Sequence, residues 1–545
     1  MRVLIIGGVA AGTKVAAKLK RENRGAEVLI LTKSQDISYA GCGLPYYVGD
    51  VIQERSQLIV NTPQSFAKLT GAQVKTGAEV IALDRQEKQV TAVDLQTGEE
   101  CRYSYDKLVI ATGASPIAPS IPGADLKNVF YMRTPQDAED LKAAVQSGTI
   151  KRAVIAGGGF IGLEVAENLS SQGIRTTVID MAPHIMPGFD PEMAEYVENY
   201  LADNGIMAMT NTRLEGVEGT DAVEKVKTSR RAMKADALIM CLGIRANTEF
   251  LKDTGLEMAP NHTILVDEFL RTNDPDIYAV GDCAMVVNRI TGKRAWSPMG
   301  SSANIEGRIA AQNLAGANLT YPGVLGTGVV RLPGLNAGRT GLTEAAAREE
   351  GRDVITVLTA VDDKAHYYPG AGTFIVKMIA DESTGEFLGI QVLGKGAVDK
   401  MVDIAVVALS MKATIYQLQD LDFAYAPPFS TAIHPFDHTV NVLINKIQGK
   451  LDSFTPAEFQ EGKAEDYKIL DVSRTPAIEG AEFINLADVE EELPGHDKEE
   501  NLLLVCTKGR RAYLLQNRLS YLGYANTKVL EGGTFFNGTE LIEEE

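Results

Sequence analysis

Ala153-Val154-Ile155-Ala156-Gly157-Gly158-Gly159-Phe160-Ile161-Gly162-Leu163-Glu164-Val165-Ala166 decides the fold. Its four opening apolar residues read as a buried parallel strand, the glycines as a tight turn, and Leu163 onward as a helix. A turn stripped of side chains lets backbone N–H groups approach a pyrophosphate at a helix N-terminus, where the helix dipole favours negative charge. Gly157, Gly159 and Gly162 complete the G-x-G-x-x-G dinucleotide fingerprint. The next strand, Thr176–Asp180, closes on Asp180, where a carboxylate accepts both ribose hydroxyls and repels a 2′-phosphate. NADH is therefore expected over NADPH, the plain alternative being an aspartate that merely caps a strand end.

A less complete version opens the chain. Val3–Ile6 reads as a strand, Gly7-Gly8-Val9-Ala10-Ala11-Gly12 as the turn and Thr13–Arg21 as the helix. Val9 takes the place of the middle glycine. Thr32 stands where a ribose-binding acid is expected after the strand Val28–Leu31, so ribose contacts fall to Thr32 or to backbone groups. Two further segments, Ile110-Ala111-Thr112-Gly113 and Thr272-Asn273-Asp274-Pro275-Asp276-Ile277-Tyr278-Ala279-Val280-Gly281-Asp282, look like the flavoprotein pattern in which the chain leaves and re-enters an FAD domain. That pattern implies that Asp282 hydrogen-bonds the ribityl chain and that a helix after it points its N-terminus at the flavin. An NAD domain inserted within an FAD domain accounts for both fingerprints and for their order. The residues expected around FAD are Gly7, Gly8, Ala11, Gly12, Thr32, Lys33, Val80, Ala111, Thr112, Gly113, Gly281 and Asp282. Those expected around NADH are Gly157, Gly159, Phe160, Ile161, Gly162, Glu164, Asp180 and Gly243.

Cys42 lies in Ser38-Tyr39-Ala40-Gly41-Cys42-Gly43-Leu44-Pro45-Tyr46-Tyr47, soon after the first turn. A free cysteine is often a small buried hydrophobe, but a Gly-rich loop without alternation is a poor core strand, which favours a reactive thiol. Glutathione-type flavin disulfide reductases carry a second cysteine five positions on, and that position is Tyr47 here. The chain thus resembles the single-cysteine flavoprotein disulfide reductases, and within them the coenzyme A-disulfide reductases and NADH-dependent persulfide reductases, over about residues 1 to 447. Ala365-His366-Tyr367-Tyr368-Pro369-Gly370 and Phe423-Ala424-Tyr425-Ala426-Pro427-Pro428-Phe429-Ser430 carry the same likeness. It implies a homodimer through residues 321–447, with Tyr367 and Tyr425 reaching the partner's active site as proton or hydrogen-bond donors to a departing thiolate. Interface packing is the alternative for both tyrosines.

The resemblance also implies coenzyme A. Lys14, Lys18 and Arg21 fall on one face of the first helix, either a basic patch for a 3′-phospho-ADP group or a solvated face. Arg21, Ser38, Asn304 and Arg308 match the family's nucleotide and pantetheine positions. Gly41 replaces the family's usual asparagine, and Thr70 an expected basic residue. Oxidases and peroxidases with a lone cysteine place a histidine where this chain has Ala10, which makes that branch the lesser expectation. A redox-sensing interaction protein is the rival from another class.

Past Lys450 a small α/β unit begins. Ile469–Val472 and Leu502–Val505 read as strands, the second ending at Cys506-Thr507-Lys508-Gly509-Arg510-Arg511-Ala512. A cysteine at a strand end, before a Gly-containing loop and two arginines, receives N–H dipoles and cationic charge that stabilise a thiolate. This resembles a rhodanese domain, whose cysteine carries sulfane sulfur; Leu522-Gly523-Tyr524 and Leu530-Glu531-Gly532-Gly533 match its close. Ser473 stands where an arginine usually follows Asp-Val, and rhodanese folds also occur with silent sites.

The fold class expected is α/β: FAD-binding 1–113 and 243–320, NAD-binding 114–242, an α+β dimerisation domain 321–447, and a rhodanese-like 453–545. A chain of 545 residues exceeds one core. A net charge of −19 disfavours nucleic acid and anionic membranes, so an anionic ligand needs a local basic patch. Five cysteines without paired spacing make neither a disulfide framework nor a zinc site; no metal is expected, and Cys101, Cys241 and Cys283 read as structural. A cytoplasmic protein is expected, since Met1–Ile6 runs straight into a Gly turn and no apolar run reaches the roughly 18 residues of a bilayer span.

Overall fold

Val3, Leu4, Ile5 and Ile6 offer no polar face, so the strand Arg2–Ile6 must be covered on both sides, and each of the four is at most 5% exposed. In the computed structural model, which describes residues 1–538, this strand is the middle one of five parallel strands, ordered Ile277–Ala279, Lys107–Ile110, Arg2–Ile6, Glu27–Leu31 and Gln73–Lys75. The same plan recurs around Arg152–Ala156, with all-parallel order Met207–Met209, Arg175–Ile179, Arg152–Ala156, Ala237–Met240 and Val129–Tyr131. Each sheet is followed along the chain by a three-stranded antiparallel excursion before its next strand, Ala78–Ser104 in one case and Leu214–Lys234 in the other. Ala114–Pro116 and Ile244–Ala246, where the chain leaves and re-enters the first fold, pair antiparallel with each other. One fold is inserted in the other, as the two fingerprints and their order require.

The helix expected after Asp282 does not follow it directly. Gly281–Cys283 is a single 3-10 turn that runs into the strand Ala284–Val287, not into a helix. The reason is the apolar run Ala284-Met285-Val286-Val287, buried over its first three residues, which pairs with Ile264–Leu265 on one side and Arg294–Ala295 on the other. The long helix begins only at Gly300 and ends at Leu314, packing across the helix Ala10–Glu22. Cys283 is therefore no helix-cap neighbour; it is fully buried, its thiol donating to the Ile110 carbonyl at 3.4 Å.

These elements form one unit, residues 1–187 with 201–324; residues 188–200 belong with the chain from 325 onward. The second unit starts from a five-stranded antiparallel sheet, Gly328–Leu332, Leu335–Gly341, Phe387–Gly394, Thr373–Asp381 and Val354–Asp362. The helices Val398–Ser410 and Pro435–Ile447 pack on it. Inside it lies Lys377, whose side chain is 4% exposed and whose ammonium sits among Asp190 (2.9 Å), Glu344 (2.9 Å) and Glu192. Gln391 donates to Asp190 at 2.7 Å, so residues 188–200 are tied to this sheet by a buried ionic knot.

The last part of this unit is a parallel sheet in the order Ser453–Phe454, Thr527–Leu530, Leu502–Val505, Lys468–Asp471, Glu482–Phe483, with the helix Arg510–Tyr521 against it. It is fastened to the antiparallel sheet by charge. Glu531, 4% exposed, accepts from the Leu358 N–H (2.7 Å), Lys446 (2.5 Å) and Ser453 (2.7 Å), while Lys508 donates to Asp362 (2.6 Å) and Thr373 (2.7 Å). Residues 539–545, the end of the expected rhodanese-like stretch, lie outside the described residues. Among the described residues no helix is long and apolar enough to cross a membrane.

Candidate active site

Gly7 and Gly157 do the same job in the two parallel sheets. Their φ values are +113° and +115°, and a Cβ on either would lie 2.0 Å from the Ala111 carbonyl oxygen or 2.1 Å from that of Cys241. Only glycine lets the turn close against the neighbouring strand. At Gly159 a Cβ would meet nothing within 4 Å, which is the open approach that a pyrophosphate needs at the start of the helix Phe160–Ser171. Asp180 follows the strand Arg175–Ile179, and its carboxylate accepts from the N–H groups of Gly158 (2.7 Å) and Ala182 (2.8 Å), which fixes it beside the turn.

In the first fold a cavity of about 470 Å³ brings together Gly7, Thr32, Lys33, Val80 and Thr112 from the sequence reading. It adds Glu79, missed by that reading, 3.6 Å from Lys33. A carboxylate thus lines the cavity although Thr32 occupies its usual place; the signal sat two strands further on, in Ala78–Asp84. Size and lining fit the nucleotide half of FAD. Asp282 pairs with Arg133 at 2.7 Å, and Trp296 donates to the Asp282 carbonyl at 2.8 Å. Neither partner was foreseen, because each is more than ten residues from Asp282 in sequence.

Glu306 was also missed. It is 1% exposed on the helix Gly300–Leu314 and accepts from the Gly281 N–H at 2.6 Å, pinning the turn that presents Asp282. Burial lifts its pKa to about 8. The unfolded chain holds such a carboxyl near 4.3, so from about pH 4.3 to 8 the native state keeps a proton that the unfolded state has lost. Stability therefore falls as pH rises across that window. Glu306→Gln keeps the acceptor and has no proton to lose. Its melting temperature is expected to exceed the parent's by several degrees at pH 8 and to converge with it near pH 5; equal gaps at both pH values would refute the buried neutral carboxyl.

Cys42 sits in the 3-10 turn Gly41–Gly43, directly before the helix Leu44–Val48, whose Pro45 occupies the first turn where no intrahelical N–H partner is needed. As a residue it is exposed. Its thiol is nonetheless pushed up in pKa, first by burial of the sulfur and then by the carboxylates of Glu164 and Asp282, with Arg133 pulling the other way. Glu164 comes from the helix Phe160–Ser171, and Tyr46 donates to it at 3.0 Å; burial raises Glu164 to about 7. The sulfur therefore lies within the electrostatic reach of groups from both nucleotide folds.

The helix pair Ala10–Glu22 and Gly300–Leu314 collects the residues expected for coenzyme A. Lys14 is packed against Gly307, and Asn304 and Arg308 lie exposed on the same helix as Gly307. Arg21 is exposed, and Lys18 pairs with Glu22. Ser38 holds a positive φ of 48°. In the second unit Tyr367 and Tyr425, 66% and 49% exposed, are brought together: the hydrogen bond that the Tyr425 hydroxyl makes to Tyr367 raises the Tyr425 phenol above its ordinary pKa.

Cys506 follows Leu502–Val505 and is 3% exposed, within a core that includes Leu470, Val472, Leu504 and Leu515. Its carbonyl accepts from the Thr534 N–H at 3.2 Å. One of the two arginines expected to serve it has another partner, Arg511 donating to the Val472 carbonyl at 2.8 Å, and the neighbouring Lys508 binds Asp362 and Thr373. The Ser473 hydroxyl is buried and makes no hydrogen bond.

The family of pyridine nucleotide-disulphide oxidoreductases matches residues 1–304, and its dimerisation domain matches 332–435. The chain belongs to this family. A rhodanese-like domain matches residues 455–535. This oxidoreductase is 34% identical over 451 residues to an NADH oxidase of Methanocaldococcus jannaschii, covering 83% of this chain and 100% of the relative. Among solved structures, the reduced CoADR-RHD of Bacillus anthracis aligns with a TM-score of 0.94 at 31% identity over 99% of both chains. An NAD-dependent persulfide reductase from A. fulgidus aligns with a TM-score of 0.93 at 34% identity, over 98% of this chain and all of the other. The family uses FAD with NAD(P)H, and the glycine turns and the cavity of this oxidoreductase fit those groups.

Proposed function

We propose that this enzyme uses NADH, through FAD, to reduce persulfide, polysulfide or coenzyme A disulfide at Cys42, and that its rhodanese-like segment carries sulfane sulfur on Cys506. The observation that supports this most is the setting of Cys42: an exposed thiol with Tyr47 where a second cysteine would stand, within reach of charges from both nucleotide folds. The Cys42 thiolate attacks the coenzyme A sulfur of a coenzyme A persulfide. One S–S bond forms, one breaks, and hydrosulfide leaves with the electron pair; with coenzyme A disulfide the leaving group is the coenzyme A thiolate. FAD and NADH, when bound, supply the two electrons that return Cys42 to a thiol and release coenzyme A. In the homodimer formed through residues 321–447, Tyr367 and Tyr425 donate the proton or hydrogen bond that the departing sulfur needs. Asp180 selects NADH over NADPH, and Lys14, Lys18, Arg21, Ser38, Asn304 and Arg308 hold the coenzyme A arm.

A second reading, NADH oxidation by oxygen, is favoured by the archaeal NADH oxidase relative. Against it stands Ala10, which offers no proton donor in the first turn. The two separate in one experiment: NADH consumption by the purified enzyme with coenzyme A persulfide, coenzyme A disulfide, oxygen and peroxide, with sulfide measured. The persulfide is expected to give the highest turnover, with one sulfide per NADH. Oxygen as the fastest acceptor would overturn the proposal.

A further inference from the structure

We infer that Glu164 sets the protonation state of Cys42, and so ties the readiness of that thiol to the helix that opens the pyridine nucleotide site. The inference rests on the reading of Cys42 as a reactive sulfur. It starts from how the short helix Leu44–Val48 is held. That helix packs on Phe160–Ser171 and on Pro135–Gln146. At its end Gly49 is pressed so close that a Cβ would lie 2.0 Å from the Asn168 amide oxygen, and Gln172 donates to the Gly49 carbonyl at 2.8 Å. At its centre the Tyr46 hydroxyl donates to Glu164 at 3.0 Å. The helix that directly follows Cys42 is thus held against Phe160–Ser171, the helix that carries Glu164, at its centre and at its end.

The charges facing this pair come from every neighbouring element. Asp282, from the turn Gly281–Cys283, opposes a thiolate but is joined to Arg133 at 2.7 Å, which favours one. On Pro135–Gln146, Lys142 is engaged by Asp50 at 2.7 Å and lies over the Tyr47 ring at 4.0 Å. Glu167, on the same helix as Glu164, opposes the ionisation of Glu164. Glu164 differs from Asp282 in having a neutral phenol, not a guanidinium, as its hydrogen-bond donor, so its charge reaches the sulfur with less compensation. Because burial places its own ionisation near neutrality, it switches that charge on and off within the working range of pH. The two groups then titrate as a pair: each proton lost from one makes the other harder to remove. Glu164 is in this sense a positioning residue, acting through the charge of Cys42.

The test is alkylation of Cys42 by iodoacetamide in the purified holoenzyme without pyridine nucleotide, read by peptide mass spectrometry from pH 5.5 to 9.5. The parent is expected to show a drawn-out profile, wider than one ionisation. Glu164→Gln is expected to give a single ionisation at lower pH, with alkylation at pH 7.5 faster by about three- to tenfold, a shift of half to one pK unit. Tyr46→Phe, which removes the hydrogen bond favouring the charged carboxylate, is expected to raise the rate less and keep the profile drawn out. It also decides the matter should Glu164→Gln fail to fold. Profiles that superimpose on the parent's would overturn the inference and leave the role of Cys42 standing. A Cys42 alkylated in none of the three forms would overturn both.

Discussion

A Cys42→Ser enzyme is expected to lose sulfide release from coenzyme A persulfide by at least about a thousandfold, while NADH-dependent reduction of ferricyanide continues at close to the parent rate. The reasoning is local. A serine hydroxyl matches the cysteine in size, so the turn Gly41–Gly43 and the helix after it have no cause to move. What goes is the polarisable sulfur that forms and breaks the S–S bond. Ferricyanide takes electrons without such a bond, so it reports whether the two nucleotide folds remain intact. Loss of both reactions would point to a damaged fold. Retention of both would remove Cys42 from the chemistry, and with it the proposed function.

Lys377→Met should be the most damaging single change to stability. It leaves Asp190, Glu192 and Glu344 facing one another around an uncharged side chain, in a place where the lysine is 4% exposed. Breaking a buried ion cluster by removing one partner costs about 3–5 kcal/mol, because the stranded carboxylates have lost their compensating charge. For a unit of some two hundred residues that corresponds to a fall in melting temperature of about 10 °C. Neutralising the acids in the same chain, with Asp190→Asn and Glu192→Gln added to Lys377→Met, is expected to recover most of the loss. A triple variant no more stable than Lys377→Met alone would show that packing of the lysine stem, not charge, is what the site requires.

What could be read in the sequence was what is written in consecutive residues. Gly157 to Asp180 and Gly7 to Gly12 specify strand, turn and helix by short-range sterics, and the structure has those elements to within three residues at each end. The order of segments told which fold is inserted in which. The reading failed after Asp282, where a glycine–aspartate pair suggested a helix start while the following four residues are apolar and form a strand. It was silent on contacts made across long stretches of chain. Arg133 with Asp282, Glu306 with Gly281 and Lys377 with Asp190 are each separated by 25 to 187 residues, and a charged residue gives no hint of its partner until the sheets bring the two together. Glu306 left the faintest trace: a lone acid between Ala303 and Ala310 on the inward side of its helix.

Glu531 and Lys508 carry a lesson about how such chains are lengthened. The NADH oxidase of Methanocaldococcus jannaschii matches over its whole length and covers 83% of this chain. Here the strand Val354–Asp362 hands the Leu358 N–H, and the helix Pro435–Ile447 hands Lys446, to a carboxylate that belongs to the final parallel sheet. Cutting the chain after residue 450 would strand a donor and a cation that Glu531 now satisfies. Removing the final sheet is therefore an amputation, not the untying of a tether.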